Sequence, residues 1–329
     1  MLTVFRLLVR PAFIAAIPFL SGCASGRLTP IADHHQHLFS PDLAEVLATG
    51  NPAFTSVTAR DVIANLDSAR IQKAVLLGTA YLYGSPSRNF PDEYARVRAE
   101  NDWDAAQAAQ YPGRLIAFCG FNPLKDYALD ELERCAKDPR LNRGIKLHFG
   151  NSDVQVENPQ HVEQLAKVFR AANAHHMAIV IHMRASISRK RPYGARQAQI
   201  FLDELLPQAP DVVVQIAHLA GTGPGYQDPP ADSAMAVLAE AVQRGDPRTK
   251  NLWFDVATVV DTSTTAAQAA VVVQRIRQVG AGRVLYGSDA IISGKPREWW
   301  AAFRRVPLPD DEFERIAHNL APYFRETHP

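Results

Sequence analysis

The sequence predicts a single-domain (β/α)8 barrel, and two observations support this. From residue 31 onward, short apolar runs alternate eight times with amphipathic stretches, the pattern of parallel strands connected by helices. Histidine or aspartate residues stand at the ends of several of those runs. A doubly wound open sheet has the same alternation and is the competing fold. The barrel is favoured because a closed barrel brings the carboxyl ends of all its strands to one mouth.

The eight apolar runs are predicted to be strands buried on both faces, because they consist mainly of β-branched and aliphatic residues. They are Ile31–His35, Lys73–Leu77, Leu115–Phe121, Gly144–His148, Ala178–His182, Val212–His218, Leu252–Val256 and Val284–Ser288. Amphipathic stretches of helical spacing lie between and after them. The predicted helices are Pro91–Gln110, Leu129–Lys137, Pro159–His175, Gln197–Leu206, Ser233–Arg244, Thr264–Val279 and Asp311–Phe324.

The composition limits what the chain can do. It has 329 residues, 47% hydrophobic and 21% charged, which is ordinary for one globular domain. The formal net charge is +1, so no basic field would recruit nucleic acid. Three cysteines are too few for a disulfide framework. Cys119 and Cys135 fall in a predicted strand and helix and are expected to be buried thiols, with a bridge between them as the alternative.

The first 22 residues have the features of an export signal. Arg6 and Arg10 are the only charged side chains before Cys23, and Pro11–Leu20 is almost wholly apolar but too short to span a bilayer. The ending Leu20-Ser21-Gly22-Cys23 resembles the bacterial lipobox, which implies cleavage before Cys23 and a lipid on its thiol. An ordinary signal peptide cut elsewhere, or an uncleaved anchor, is the alternative.

These features divide the chain into three parts. We expect residues 1–22 to be a lipoprotein signal peptide, residues 23–30 to be a short spacer after the lipidated cysteine, and residues 31–329 to form the barrel. Ala24 follows the cysteine, and by resemblance to enterobacterial sorting this implies the outer membrane, facing the periplasm. The lipid is then the only predicted attachment to a membrane.

The end of the first strand carries the first chemical signal. It reads Asp33-His34-His35-Gln36-His37. Because strand side chains alternate, Asp33, His35 and His37 are expected to share one face, with His34 pointing outward. Two imidazoles spaced in this way can hold one cation, whereas Asp33 is expected to support the site rather than bind the metal.

Residues of the same type end three other strands: His182 the fifth, His218 the sixth and Asp289 the eighth. Burying such a side chain unpaired is costly, so each requires a metal or a hydrogen bond. Together with His-x-His on strand one, they resemble the signature of the amidohydrolase superfamily, whose members are metal-dependent barrel hydrolases. Four segments are similar to its amidohydrolase-related (amidohydrolase-2) branch: Gly144–His148, Ala217–Gly221, Gly287–Asp289 and Ile316–Asn319.

The resemblance implies a divalent metal, usually zinc in this branch, held by His35, His37, His182 and Asp289. It also implies that His218 lies beside the metal as an acid/base or substrate donor. Binuclear relatives bridge two metals with a carboxylated lysine or a glutamate on strand four, where this chain has Lys146. A lysine that neutralises a buried carboxylate or the substrate is favoured over a carboxylated one, so one metal is expected.

This set of residues predicts a hydrolase that cleaves an ester, lactone or amide bond of a small carboxylic acid derivative with metal-activated water. Asp289 is expected to move the proton, and His218 to orient the water or stabilise the oxyanion. Arg184, Lys146 and His148 are expected to bind the substrate, because arginine forks a carboxylate. The alternative is a lyase, since the same branch contains decarboxylases and hydratases of aromatic or unsaturated acids. The oligomeric state stays open.

Overall fold

The computed structural model describes residues 28–223, 225–290 and 295–325. Its eight strands form one sheet in sequence order, and each hydrogen-bonded neighbouring pair is parallel. They are β1 (Ala32–Gln36), β2 (Lys73–Leu77), β3 (Leu115–Gly120), β4 (Gly144–His148), β5 (Ala178–His182), β6 (Val214–Ile216), β7 (Leu252–Asp255) and β8 (Val284–Leu285).

Two backbone hydrogen bonds join the two ends of this sheet. The His34 amide donates to the Tyr286 carbonyl (2.9 Å), and the Asp289 amide donates to the His35 carbonyl (2.8 Å). The first strand therefore lies beside the segment that follows the last one. The predicted single-domain (β/α)8 barrel is confirmed, and the open doubly wound sheet is excluded.

Helices alternate with the strands and cover the outside of the barrel. They are α1 (Pro41–Ala48), α2 (Ala59–Ala69), α3 (Glu93–Ala108), α4 (Ala128–Lys137), α5 (Phe149–Ser152), α6 (Pro159–Ala174), α7 (Ala195–Ile200), α8 (Pro229–Gln243), α9 (Ala266–Val279), α10 (Pro296–Phe303) and α11 (Asp310–His318). Neither helix between β1 and β2 was predicted from the sequence. A signal for α2 was present, since Thr58 and Asp61 form a capping box at its start.

Two strands end more than one residue earlier than predicted. Val212–His218 narrows to β6, and Val284–Ser288 narrows to β8. After β6, His218, Leu219 and Ala220 have φ angles of 55°, 47° and 64°. Residues other than glycine rarely adopt this left-handed backbone conformation, and a β-strand cannot contain it. The chain therefore leaves the sheet in a strained turn at the residue that the sequence marked as functional.

Apolar side chains pack in two layers. The larger one lies between the barrel and its helices. The smaller one fills the barrel, where residues of β2, β3, β5 and β8, and Val213 just before β6, pack with Ala321 and Tyr323. Two residues before Ala321, the Asn319 side chain donates to the carbonyl of Ala281, which precedes β8, and to that of Val284, its first residue. The segment Ala321–Phe324 therefore closes the amino-terminal end of the barrel.

The structure joins Cys119, on β3, to Cys135, on α4, in a disulfide. Both residues are buried, as expected, but the prediction of two free thiols is wrong and the alternative of a bridge holds. Strand and helix lie side by side, with 6.2 Å between the two Cα atoms, which is within the normal range for a disulfide.

The predicted signal peptide, the lipidation site at Cys23 and most of the predicted spacer lie outside the described residues. Among the helices that the structure does describe, none combines the length and apolar character needed to cross a membrane.

Candidate metal centre and active site

The end of β1 does not follow simple alternation. The register between β1 and β2 shifts between Asp33 and Gln36. As a result His34 does not point outward, as the alternation predicted. Its ring packs against Tyr323 and Phe324 at the closed end of the barrel, and its Nε2 accepts a hydrogen bond from the Ala321 amide (3.2 Å).

Three histidines around the mouth are held through Nδ1. That atom of His37 bonds the Leu77 carbonyl (2.6 Å), and that of His218 bonds the Ala257 carbonyl (2.8 Å). Nδ1 of His35 bonds the Asp255 carboxylate (3.0 Å). Carbonyl and carboxylate oxygens only accept, so each Nδ1 carries the hydrogen and each Nε2 presents a lone pair. Burial lowers the pKa of all three rings, which keeps them neutral.

Asp289 faces two of these lone pairs. Its Oδ1 lies 3.5 Å from His37 Nε2, and its Oδ2 lies 3.8 Å from His218 Nε2. Oδ1 is buried and has no hydrogen-bond partner within the described part of the chain. Burial raises the pKa of Asp289 to about 8, an effect that the nearby Lys146 opposes. A buried carboxylate oxygen and imidazole lone pairs repel one another unless a cation or a proton lies between them.

This donor set fits a divalent metal. The ligating atoms of His35, His37 and Asp289 lie within 4.8 Å of one another. Imidazole nitrogen and carboxylate oxygen are ligands that zinc and other divalent transition metals accept. A second group of three, His35, His218 and Asp255, shares His35 with the first. We call His35, His37, His218 and Asp289 the mouth cluster.

Lys146 reaches the mouth cluster from β4. Its Nζ donates to His35 Nε2 (3.3 Å), and the residue is almost fully buried. Burial lowers the pKa of Lys146 to about 8, against the opposing charges of Asp255 and Asp289. The lysine thus lies beside the candidate metal ligands, where its charge balances buried carboxylates.

His148 and His182 lie near His218. Their rings stack with centroids 3.9 Å apart, and the His182 ring lies 5.1 Å from the His218 ring. His148 Nδ1 accepts a hydrogen bond from the Asn151 amide (3.1 Å). His182 is therefore a neighbour of the mouth cluster, whereas its nitrogens belong to neither of the two histidine-containing groups of ligand atoms named above.

A polar cavity of about 400 Å³ opens beside these two rings. Its lining includes Asn151, Arg184, Arg189 and several serines. The guanidinium of Arg184 already binds the Asp228 carboxylate with two nitrogens. Arg189 instead donates to the Gly150 carbonyl (3.4 Å), and no described carboxylate pairs with it within 4.0 Å. The structure thus brings Arg184 to the cavity but leaves Arg189 the freer guanidinium.

Two buried aspartates hold the site residues in place through hydrogen bonds. Asp33 accepts hydrogen bonds from the side chains of Gln36 and Ser288 and from the Ser288 amide, which joins β1 to the segment after β8. Asp255 holds His35 and accepts from the His218 amide (2.9 Å). Burial alone would raise the pKa of Asp255, but His35 and His218 lower it below its ordinary value. Asp255 was not predicted as a site residue, although it ends β7 and the other site residues likewise lie at or just beyond the ends of their strands.

Gly287 lets the last strand approach the first. A Cβ atom added there would lie 2.7 Å from His35 Cβ and 3.2 Å from Ala257 Cβ, closer than packed carbon atoms come. Because His35 lies so close, only glycine fits at position 287 of the Gly-Ser-Asp segment.

We expect Gly287→Ala to push His35 away from the mouth cluster. The free energy of unfolding should fall by about 1–3 kcal/mol, as in other overpacked sites, and bound metal should fall with it. Gly282→Ala is the matched control, because the nearest atoms to its added Cβ lie 3.9 Å away. Chemical denaturation and elemental analysis check both variants. Equal stability and metal content in the two would contradict this account of Gly287.

Residues 33–320 match a protein-family model described as Amidohydrolase. No curated protein matches the chain. The fold resembles that of 5-carboxyvanillate decarboxylase from Sphingomonas paucimobilis, with a TM-score of 0.58 and 18% identity over 88% of this chain and 96% of that one. It also resembles a probable 2-pyrone-4,6-dicarboxylic acid hydrolase from Acinetobacter baumannii with citric acid bound, with a TM-score of 0.56 and 18% identity over 88% and 96% of the two chains.

A third similar structure is a dihydroxybenzoic acid decarboxylase from Polaromonas, solved with bound manganese and the inhibitor 2-nitroresorcinol. Its TM-score is 0.59, and it is 15% identical over 88% of this chain and 95% of that one. At these identities the likeness to solved structures shows the shared fold.

Proposed function

The chain belongs to the amidohydrolase family, and on that premise we propose that it is a metal-dependent hydrolase of a small carboxylic acid derivative. The bond cleaved is an ester, lactone or amide. Members of the family bind a divalent metal, and this chain has the histidine and aspartate site to hold one. His35, His37 and Asp289 would hold it, with His182 as the further ligand that the family resemblance adds.

The observation that carries the proposal is the buried, unpartnered oxygen of Asp289 among histidine lone pairs. A divalent metal bound there would polarise a substrate carbonyl and lower the pKa of water. Asp289 would accept the proton released from water and return it to the leaving group. His218, with Nδ1 committed to a carbonyl, offers only an acceptor at Nε2, so it orients water or binds metal rather than donating to an oxyanion.

The cavity beside His148 and His182 supports a small anionic substrate. We propose that a substrate carboxylate binds Arg189, because Arg184 is paired with Asp228. Lys146 adds a buried positive charge beside His35. This arrangement moves the expected carboxylate contact from Arg184 to the neighbouring loop arginine.

Asp289→Asn should separate metal binding from turnover. Asparagine keeps the shape and an oxygen ligand but cannot accept a proton, so turnover should fall by ~10²–10⁴ while metal is better retained. His35→Ala should lose metal and activity together. His161→Ala is the control, since that histidine bonds the Gln155 amide away from the centre. Metal content and turnover on a panel of esters, lactones and aromatic acids check all three. Near wild-type turnover in Asp289→Asn would contradict the proton-transfer role.

A lyase is the second candidate, favoured by the fold shared with two decarboxylases of aromatic acids. The same panel separates the two reactions, because only decarboxylation releases CO2 from the aromatic acids.

We also propose that the protein is exported and anchored by a lipid on Cys23, as the lipobox resemblance implies. The disulfide between Cys119 and Cys135 supports this location, since disulfides persist in oxidising compartments such as the periplasm.

Labelled palmitate should therefore be incorporated by the wild type and not by Cys23→Ala, because the thiol at that position accepts the lipid. A variant with both Cys119 and Cys135 changed to alanine should keep the label, which controls for other cysteines. Autoradiography of cell-envelope fractions checks this. Label on Cys23→Ala would show that the proposed anchor is wrong.

A further inference from the structure

The segment that closes the amino-terminal end of the barrel is connected to the metal centre by hydrogen bonds. The hydroxyl of Tyr323 donates to Gln215 Oε1 (2.7 Å), and Gln215 Nε2 donates to Asp255 Oδ2 (2.8 Å). The same carboxylate oxygen accepts from His35 Nδ1 (3.0 Å). Three hydrogen bonds thus link Tyr323 to a candidate metal ligand. Gln215 and Asp255 are fully buried, and Tyr323 is 7% exposed.

The orientation of the Gln215 amide fixes the direction of the hydrogen bonds between Tyr323 and Asp255. A carboxylate only accepts hydrogen bonds, so Asp255 requires the Nε2 end of the amide. The Oε1 end then faces the barrel interior, where the Tyr323 hydroxyl is its donor. Without that hydroxyl, Oε1 is a buried acceptor lacking its donor, and the reversed amide would set an oxygen against the carboxylate.

Asp255 in turn fixes the His35 ring. Its carboxylate holds the hydrogen on Nδ1, which leaves the Nε2 lone pair facing the mouth cluster. Outer groups of this kind set the tautomer and direction of a ligand and contribute to metal affinity. The closing segment is held in place independently, because the Ala321 amide donates to His34 Nε2 (3.2 Å).

We propose that Tyr323 is a positioning residue for the metal centre, acting through Gln215 and Asp255 on His35. The closing segment is therefore part of the metal site's support as well as of the barrel's core. This inference rests on the metal centre of the proposed function, but not on which bond the enzyme cleaves.

The test is metal affinity in the full-length chain, measured with Zn²⁺ and Mn²⁺ against a chromophoric chelator. Tyr323→Phe keeps the ring and removes the hydroxyl, and it should weaken affinity by about 3- to 10-fold, the worth of one hydrogen bond. Tyr127→Phe is the matched control, since its hydroxyl bonds Glu93 and not the Asp255 chain. The control should leave affinity unchanged. Gln215→Met removes the same hydrogen-bonded link between Tyr323 and Asp255. It replaces Tyr323→Phe as the test variant if that protein does not fold.

A double-mutant cycle separates positioning from a general structural effect. Asp255→Asn should weaken affinity by ~10–100-fold. Adding Tyr323→Phe to it should cause no further loss, because the route through Asp255 is already broken. An affinity change in Tyr323→Phe no larger than in Tyr127→Phe would overturn the proposal. The same loss in the Asp255→Asn background would overturn it as well.

The metal-free protein provides a readout that does not depend on the proposed function. Nitrogen-15 NMR should show His35 protonated at Nδ1 in both proteins, with a changed Nδ1 chemical shift in Tyr323→Phe, because the Asp255 carboxylate that holds this hydrogen has lost its link to Tyr323. Identical His35 resonances in the two proteins would overturn the positioning role. A wild-type chain that binds neither ion would overturn the proposed function, and the His35 resonances would still decide the role of Tyr323.

Discussion

The Oδ1 atom of Asp289 is buried among nitrogen lone pairs, and the surrounding structure depends on a cation or a proton to relieve their repulsion. His35, His37 and His218 each commit Nδ1 to a buried oxygen, so their Nε2 atoms can only accept. Hydrogen-bond acceptor atoms clustered in this way repel one another in a low-dielectric interior. Lys146 supplies one positive charge at its edge, and a divalent metal would supply the rest.

The backbone at two of these residues has a conformation that is unfavourable in isolation. His218 and Asp289 both have positive φ, at 55° and 45°, and such residues cost on the order of 1–3 kcal/mol each. Hydrogen bonds hold each strained residue, since the His218 amide donates to Asp255 and the Asp289 amide donates to the His35 carbonyl. Gly287 then allows the segment after β8 to come within contact of His35. Strain is therefore concentrated where the side chains must converge.

Much of the fold was predictable from sequence, because strands buried on both faces leave continuous apolar runs and helices leave amphipathic ones. Lys73–Leu77, Gly144–His148 and Ala178–His182 were placed at their observed bounds. The turn after β6 was not, since left-handed residues without glycine leave no local signal. The orientation of His34 was missed because a register shift in β1 depends on the pairing with β2. Asp255 could have been found by the rule that identified Asp289, since Asp255 ends β7 and Asp289 lies just beyond the end of β8.

The central claim is that the mouth cluster holds one divalent cation. Elemental analysis of protein purified without chelator, compared with His37→Ala, tests it most directly. The account predicts close to one equivalent of a divalent metal in the wild type and its loss in the variant, whose remaining ligands cannot close the site. No metal after incubation with Zn²⁺ or Mn²⁺, or two equivalents with a carboxylated Lys146, would contradict it.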